Sequence, residues 1–160
     1  MLFGLTLIGC SPGASVQPSL PPSPTPAPPP PPTLGPGHVA KGRQVYVPWC
    51  ASCHGANAEG SPNWQEPDTR GDLPPPPHDD TGHTWRHPDL QLAEIIRDGL
   101  RDPFNKTPEL TMPPFGDRLT DEEIADVIVY FKSLWSPEHR RFQEQQNQRP
   151  MPSPVPGVGQ

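Results

Sequence analysis

Cys50 and Cys53 stand three apart with His54 directly after them, in the run Cys50-Ala51-Ser52-Cys53-His54-Gly55. On one turn of chain, two such thiols can each add their S–H across a vinyl group of a porphyrin. The adjoining imidazole then lies beneath the central metal. C-x-x-C-H is the spacing of covalent c-type haem attachment. Two other chemistries use neighbouring cysteines, and neither has its usual company here. A thioredoxin-like pair needs a βαβ setting, and no strand-like apolar run precedes Cys50. A structural zinc site needs a second close ligand pair, and no cysteine lies downstream of Cys53. The expected cofactor is therefore one covalent haem c, attached at Cys50 and Cys53, with His54 as the proximal iron ligand.

Iron held by one histidine has a sixth position, and its occupant separates electron transfer from chemistry on small molecules. Of three methionines, Met1 and Met151 lie in the terminal segments, which leaves Met112. A lone methionine is ordinarily core filler. Met112, however, stands in Thr111-Met112-Pro113-Pro114-Phe115, within an irregular polar stretch with no helical stripe. Its prolines stiffen the loop and leave the sulfur little entropy to lose on ligation. Met112 is the expected distal ligand. His78, His83 and His87 are the rival donors, for iron or for another metal, although scattered solvent histidines on a loop are the plainer reading.

The elements that must position these groups read as helices joined by long loops. Residues 38–47 repeat Val39, Gly42, Val45 and Tyr46 at helical spacing, and Pro48 and Trp49 are expected to stop that helix. Gly42 makes room for a second helix, at a cost of about 1 kcal/mol against alanine. Residues 88–99 form a helix with a proline start, an apolar face of Leu92, Ile95 and Ile96, and a Gly99 stop. Residues 120–135 carry the clearest signal, with a Thr120/Glu123 capping box, acidic residues in the first turn and Ile124, Val127, Ile128, Phe131 and Leu134 on one face. Between them, 55–87 is polar and proline-rich. A loop of that length is suspect in a small domain unless it wraps a flat group. Trp64, Trp85, Arg70 and Arg86 are its candidates to meet haem edges or propionates, with rim packing as the alternative.

The 160 residues include 29 prolines and only 31% hydrophobic residues, so part of the chain lies outside any core. A net charge of −6, with no charged residue before Lys41, argues against nucleic acid as a partner. Residues 1–10 run apolar to Cys10, and Leu7-Ile8-Gly9-Cys10 resembles a lipobox, whose cysteine becomes acylated. No lysine or arginine precedes it, so the natural start is expected upstream. Residues 11–37 form a proline-rich tether that reaches on the order of 80 Å if straight. Residues 38–136 are the expected folding unit. Residues 137–160 are a polar, proline-rich tail, helical at most as a frayed segment over 138–149. An acylated Cys10 places the domain outside the cell membrane, in the periplasm or on the cell surface.

Together, Gly42 and Tyr46 on a first helix, the haem pentapeptide, Met112-Pro113-x-Phe115 and a last helix with Tyr130 resemble class I (monohaem) cytochrome c, of the membrane-tethered bacterial lipoprotein type, over residues 38–136. The resemblance implies a small all-α fold of three to four helices with long loops. It implies that Cys50 and Cys53 form the thioethers, with His54 and Met112 on the iron. Ser61-Pro62-Asn63-Trp64 is similar to the family's Gly-Pro-Asn-Leu segment, which implies that the Pro62 carbonyl accepts the second ring N–H of His54. The implied function is one-electron carriage between membrane respiratory complexes, not catalysis. The alternatives are a fixed electron-transfer subunit of an oxidase or dehydrogenase, or a haem enzyme or gas sensor if Met112 leaves the sixth site open. With only Lys41, Lys106 and Lys132 as lysines, docking is expected to rest on a small apolar contact.

Overall fold

Two helices cross at the centre of the molecule, and their crossing is set by a missing side chain. The computed structural model describes Met1 and residues 34–101 and 111–149; Cys10, most of the tether, Lys106 and the tail from 150 lie outside the described residues. Helix α1 spans Pro36–Trp49 and a one-turn α2 spans Ala51–His54. A 3₁₀ turn at Thr84–Arg86 precedes α3, Asp89–Asp98. Helices α4, Asp121–Ser133, and α5, Pro137–Asn147, complete the regular structure of the described residues. Among the described residues there is no strand beyond a single bridge between Leu100 and Met112, so the architecture is all-α, as the sequence implies.

Helix α1 lies on α4 at Gly42. A methyl group there would sit 2.6 Å from the Asp126 carbonyl carbon and 2.9 Å from Tyr130 Cβ, and closer still to the Asp126 oxygen. Glycine is what lets the backbones approach this closely. Tyr46, Ile124, Val127, Ile128, Tyr130 and Phe131 fill the rest of the contact, all buried. Burial of side chains this large stabilises by about 1.5–3 kcal/mol each. Asp126 is buried as well, and His38 Nδ1 meets its carboxylate at 2.6 Å. A carboxylate removed from water needs such a partner.

Helix α4 begins as the sequence indicates. The Thr120 hydroxyl accepts from the Glu123 amide, while the Glu123 carboxylate accepts from the Thr120 amide at 2.8 Å. Helix α1 departs from expectation, because it runs through Pro48 to Trp49. Pro48 falls in the last turn, and the Cys50 amide still bonds the Tyr46 carbonyl at 2.8 Å.

The larger difference is at the C-terminus, where the folding unit continues past 136. Residues expected to fray form α5, which packs on the 3₁₀ turn and on the start of α3. His139 stacks flat on Trp85 with centroids 3.8 Å apart. Gln143 is buried and donates to Asp89 Oδ1 at 2.7 Å and to the His87 carbonyl at 3.3 Å. Pro88, at the N-cap of α3, offers no side-chain cap, and Asn147 Oδ1 takes that role by accepting from the Asp89 amide at 2.7 Å. Lys132 of α4 reaches the same Asp89 carboxylate at 2.6 Å. The contacts are polar, which is why an apolar periodicity does not reveal them. No helix among the described residues is long and apolar enough to cross a membrane.

Candidate haem site

Both thiols and the imidazole sit on the turn that follows α1. Cys53 and His54 amides bond back to the Cys50 carbonyl at 3.1 and 2.9 Å, which winds the motif into α2. Tyr46, fully buried, donates its hydroxyl to the Gly55 carbonyl at 2.6 Å and ties the end of α2 to α1. Cys50 is half-buried, Cys53 exposed, and both are free thiols. Burial, with Cys53 alongside, pushes the Cys50 thiol up to about 11. It therefore remains S–H at neutral pH, the form that carries the hydrogen a vinyl group takes up.

The His54 ring is buried. Desolvation lowers its pKa, against the opposing pull of the Pro76 carbonyl, so the ring is neutral at pH 7 as a metal ligand must be. Its Nδ1 lies 2.9 Å from the Pro76 carbonyl oxygen. That bond fixes the proton on Nδ1 and leaves Nε2 with a lone pair. The acceptor is Pro76, not Pro62. The chain returns along itself after the 62–74 excursion: Ser61 donates to the Pro75 carbonyl at 2.9 Å and His78 to the Ala58 carbonyl at 2.8 Å. Pro62 itself is exposed. Gly60 permits the return, with φ +69 and the Pro76 carbonyl carbon 2.7 Å from where a Cβ would stand. Successive prolines have no N–H to donate, so the 74–77 run presents carbonyls in a stiff row.

His78 is not a solvent histidine. Its ring lies 4.2 Å from that of His54 on one side and 4.2 Å from Phe131 on the other. His83 stacks on Trp64 and contacts His87 edge-on, and its Nδ1 is buried without a partner. His87 Nδ1 meets Gln91 Oε1 at 3.2 Å. Among the described residues no three such groups could share a metal ion. Of the four side chains proposed for haem edges, Arg70 folds onto Asp68 and Asp72, and Arg86 lies over Trp85. Trp85 is taken up by α5 and Trp64 by His83. These are loop and rim contacts.

Met112 is half-buried against the core cluster, as Cys50 is. Its backbone pairs in both directions with Leu100 at 3.0 Å, and Phe115 and Gly116 amides bond to the Ile96 and Arg97 carbonyls at 3.0 Å. The Met112 segment is thus fastened to the end of α3 at two places, a more regular setting than the irregular stretch expected. Just before the motif, Val47 and Trp49 are exposed, and Trp49 meets Phe115 edge-on with Arg118 over its ring.

Two free thiols one turn apart, beside a neutral imidazole whose second nitrogen is already engaged, fit a covalently bound haem. The family described as Cytochrome c matches residues 39–135. The chain belongs to the cytochrome c family. As a cytochrome c it binds haem c covalently and transfers electrons. Two curated relatives are the cbb3-type cytochrome c oxidase subunits FixP of Sinorhizobium medicae (strain WSM419) and Rhizobium meliloti (strain 1021). Each is 30% identical over 97 residues, which cover 60% of this cytochrome and 30% of the relative. The chain thus matches under a third of the length of those proteins. A solved structure, cytochrome CL from Methylophaga aminisulfidivorans MPT, aligns with a TM-score of 0.48 at 24% identity, covering 76% of this chain and 71% of that one.

Proposed function

We propose that this cytochrome c is a one-electron carrier with His/Met coordination, serving membrane respiratory complexes from the outer side of a bacterial membrane. In this reading Cys50 and Cys53 make the thioethers, His54 is the proximal ligand and Met112 the distal one. The observation that carries it is the Nδ1 contact of His54 with Pro76, on the same turn as both free thiols. With both axial positions filled by protein, the haem supplies only an electron site. Neutral sulfur ligation favours iron(II) and raises the potential. The residues' own part is to hold the ligands still between oxidation states, which the bonds from 100 to 112 and from 54 to 76 do. Exposed Val47 and Trp49 beside Cys50 suit a small apolar docking contact. Acylation at Cys10 would keep the domain near its partners and make weak docking sufficient.

The test is a ferric spectrum of the wild type and of Met112→Ala. The wild type should show the weak far-red methionine-to-iron band and bind cyanide, or CO after reduction, slowly. Met112→Ala should lose the band and bind both. High-spin iron in the wild type refutes the carrier and returns the enzyme or sensor reading. For the anchor, mass spectrometry of the membrane-extracted protein should show a diacylglyceryl mass on Cys10, lost in Cys10→Ala. The FixP relatives, oxidase subunits by name, favour one second reading: an electron-transfer subunit within a larger complex. Stable co-purification with an oxidase after detergent extraction selects it over the free shuttle.

A further inference from the structure

The Pro76 carbonyl restrains one edge of the His54 ring, but a single hydrogen bond leaves the ring free to rock about it. The face of the ring is covered by His78. The two rings lie 4.2 Å apart, inclined by 31°. His78 is itself held by its backbone, its Nδ1 and its second face. Phe131 backs its other face at 4.2 Å and 24°. Its Nδ1 lies 2.8 Å from Thr84 Oγ1, its amide donates to Ala58, and its carbonyl accepts from Trp135 Nε1 at 2.8 Å. Phe131 lies in the last turns of α4, and Trp135 stands just beyond its end, both buried in the core. His78 is therefore a flat plate fixed to the core, standing two residues after the carbonyl that holds the ligand's edge.

We propose that His78 is a positioning residue for the proximal imidazole: its fixed ring sets the plane of His54 and keeps the Nδ1–H bond to Pro76 short. The inference rests on His54 being the proximal ligand. A ligand ring that donates firmly to a carbonyl becomes a stronger donor to iron and stabilises iron(III). Loosening the plate lets the Pro76 bond lengthen, so the midpoint potential rises. The orientation of the ligand plane is read independently from the ferric EPR g-values and from the spread of ferric haem-methyl NMR shifts.

The experiment uses the full-length holoprotein and His78→Ala, His78→Phe and Thr84→Val. His78→Ala should raise the midpoint potential and broaden the g-values. Thr84→Val, nearly isosteric, frees the plate to turn and should shift both in the same direction by less. His78→Phe keeps a flat ring but loses the Thr84 bond, so it should shift as Thr84→Val does and by less than His78→Ala. Wild-type EPR and potential in loaded His78→Ala overturn the proposal. If His78→Ala takes up no haem, Thr84→Val with unchanged g-values and potential overturns it instead. A wild type lacking a low-spin, histidine-ligated signal refutes the ligand assignment, and this role with it. That outcome is distinct from a normal wild type with indifferent variants.

Discussion

The Gly42 crossing lends itself to a quantitative test, because alanine there has two opposed effects of known size. In an α-helix interior, Gly→Ala stabilises by about 1 kcal/mol through backbone entropy. At position 42 the added Cβ lies 2.6 Å from the Asp126 carbonyl carbon and 2.9 Å from Tyr130 Cβ. Carbon atoms rest at about 3.5–4.0 Å, so α1 and α4 must part by roughly 1 Å. Neither contact atom can step aside, one being backbone and the other a Cβ. Overpacking of this kind costs about 1–3 kcal/mol, occasionally more. Backbone contact together with the loss of fit at Tyr46 and Val127 puts Gly42→Ala at the upper end. After the helix gain, the net loss is about 2 kcal/mol. For a domain of this size that corresponds to a fall in Tm of roughly 10 °C. Gly37, in the same helix, has nothing within 4 Å of its Cβ position. Gly37→Ala should therefore be neutral or stabilising by about 0.5 kcal/mol. Urea unfolding of the two holoproteins, followed by far-UV circular dichroism, isolates the steric part. A Gly42→Ala protein as stable as Gly37→Ala refutes the close-crossing argument.

Other outcomes follow from single contacts. Thr120→Ala removes the N-cap of α4 and should cost about 1 kcal/mol in urea unfolding at pH 7. The Thr120 amide and hydroxyl hold the Glu123 carboxyl below its ordinary 4.5. A depressed carboxylate stabilises fully above 4.5, and its contribution is lost as pH falls through the folded value. The stability difference between wild type and Glu123→Gln should therefore shrink as unfolding is repeated from pH 6 down to pH 3; a constant difference refutes the capping box. Gln143→Leu keeps the volume but strips Asp89 of a buried donor, and should cost about 1–3 kcal/mol in thermal unfolding. Equal stability would mean that the Gln143 bonds add nothing to what the Trp85 stacking and the Asn147 and His139 bonds already supply.

Features encoded within one turn of chain were legible from the residues alone. The haem pentapeptide is local, and the Thr120/Glu123 box and the apolar face of α4 are local too, so their reading survives in the structure. The acceptor for His54 depends on how a loop closes, and spacing carries no register for that. Pro62 is near in sequence, but the chain turns outward there and comes back at 75–78. The available signal was chemical: four adjacent carbonyls with no N–H between them. Helix α5 was legible only as a frayed segment, because its inward face includes His139, Gln143 and Asn147, which satisfy polar groups and fill no apolar stripe. His78 looked like a surface residue for a similar reason, as its neighbours in sequence are Asp79 and Asp80. Its packing comes from Phe131 and His54, far away along the chain.

The dependence of α3 on Asn147 reverses the usual order in which a helix is completed. Most helices carry their own starting signal, whereas this one opens at a proline and borrows its first acceptor from a residue 58 positions later. In a polypeptide still emerging from the ribosome, the first turn of α3 lacks that acceptor until Asn147 has been made. Hydrogen exchange at the Asp89 amide should consequently keep pace with α5 rather than with the helix to which it belongs.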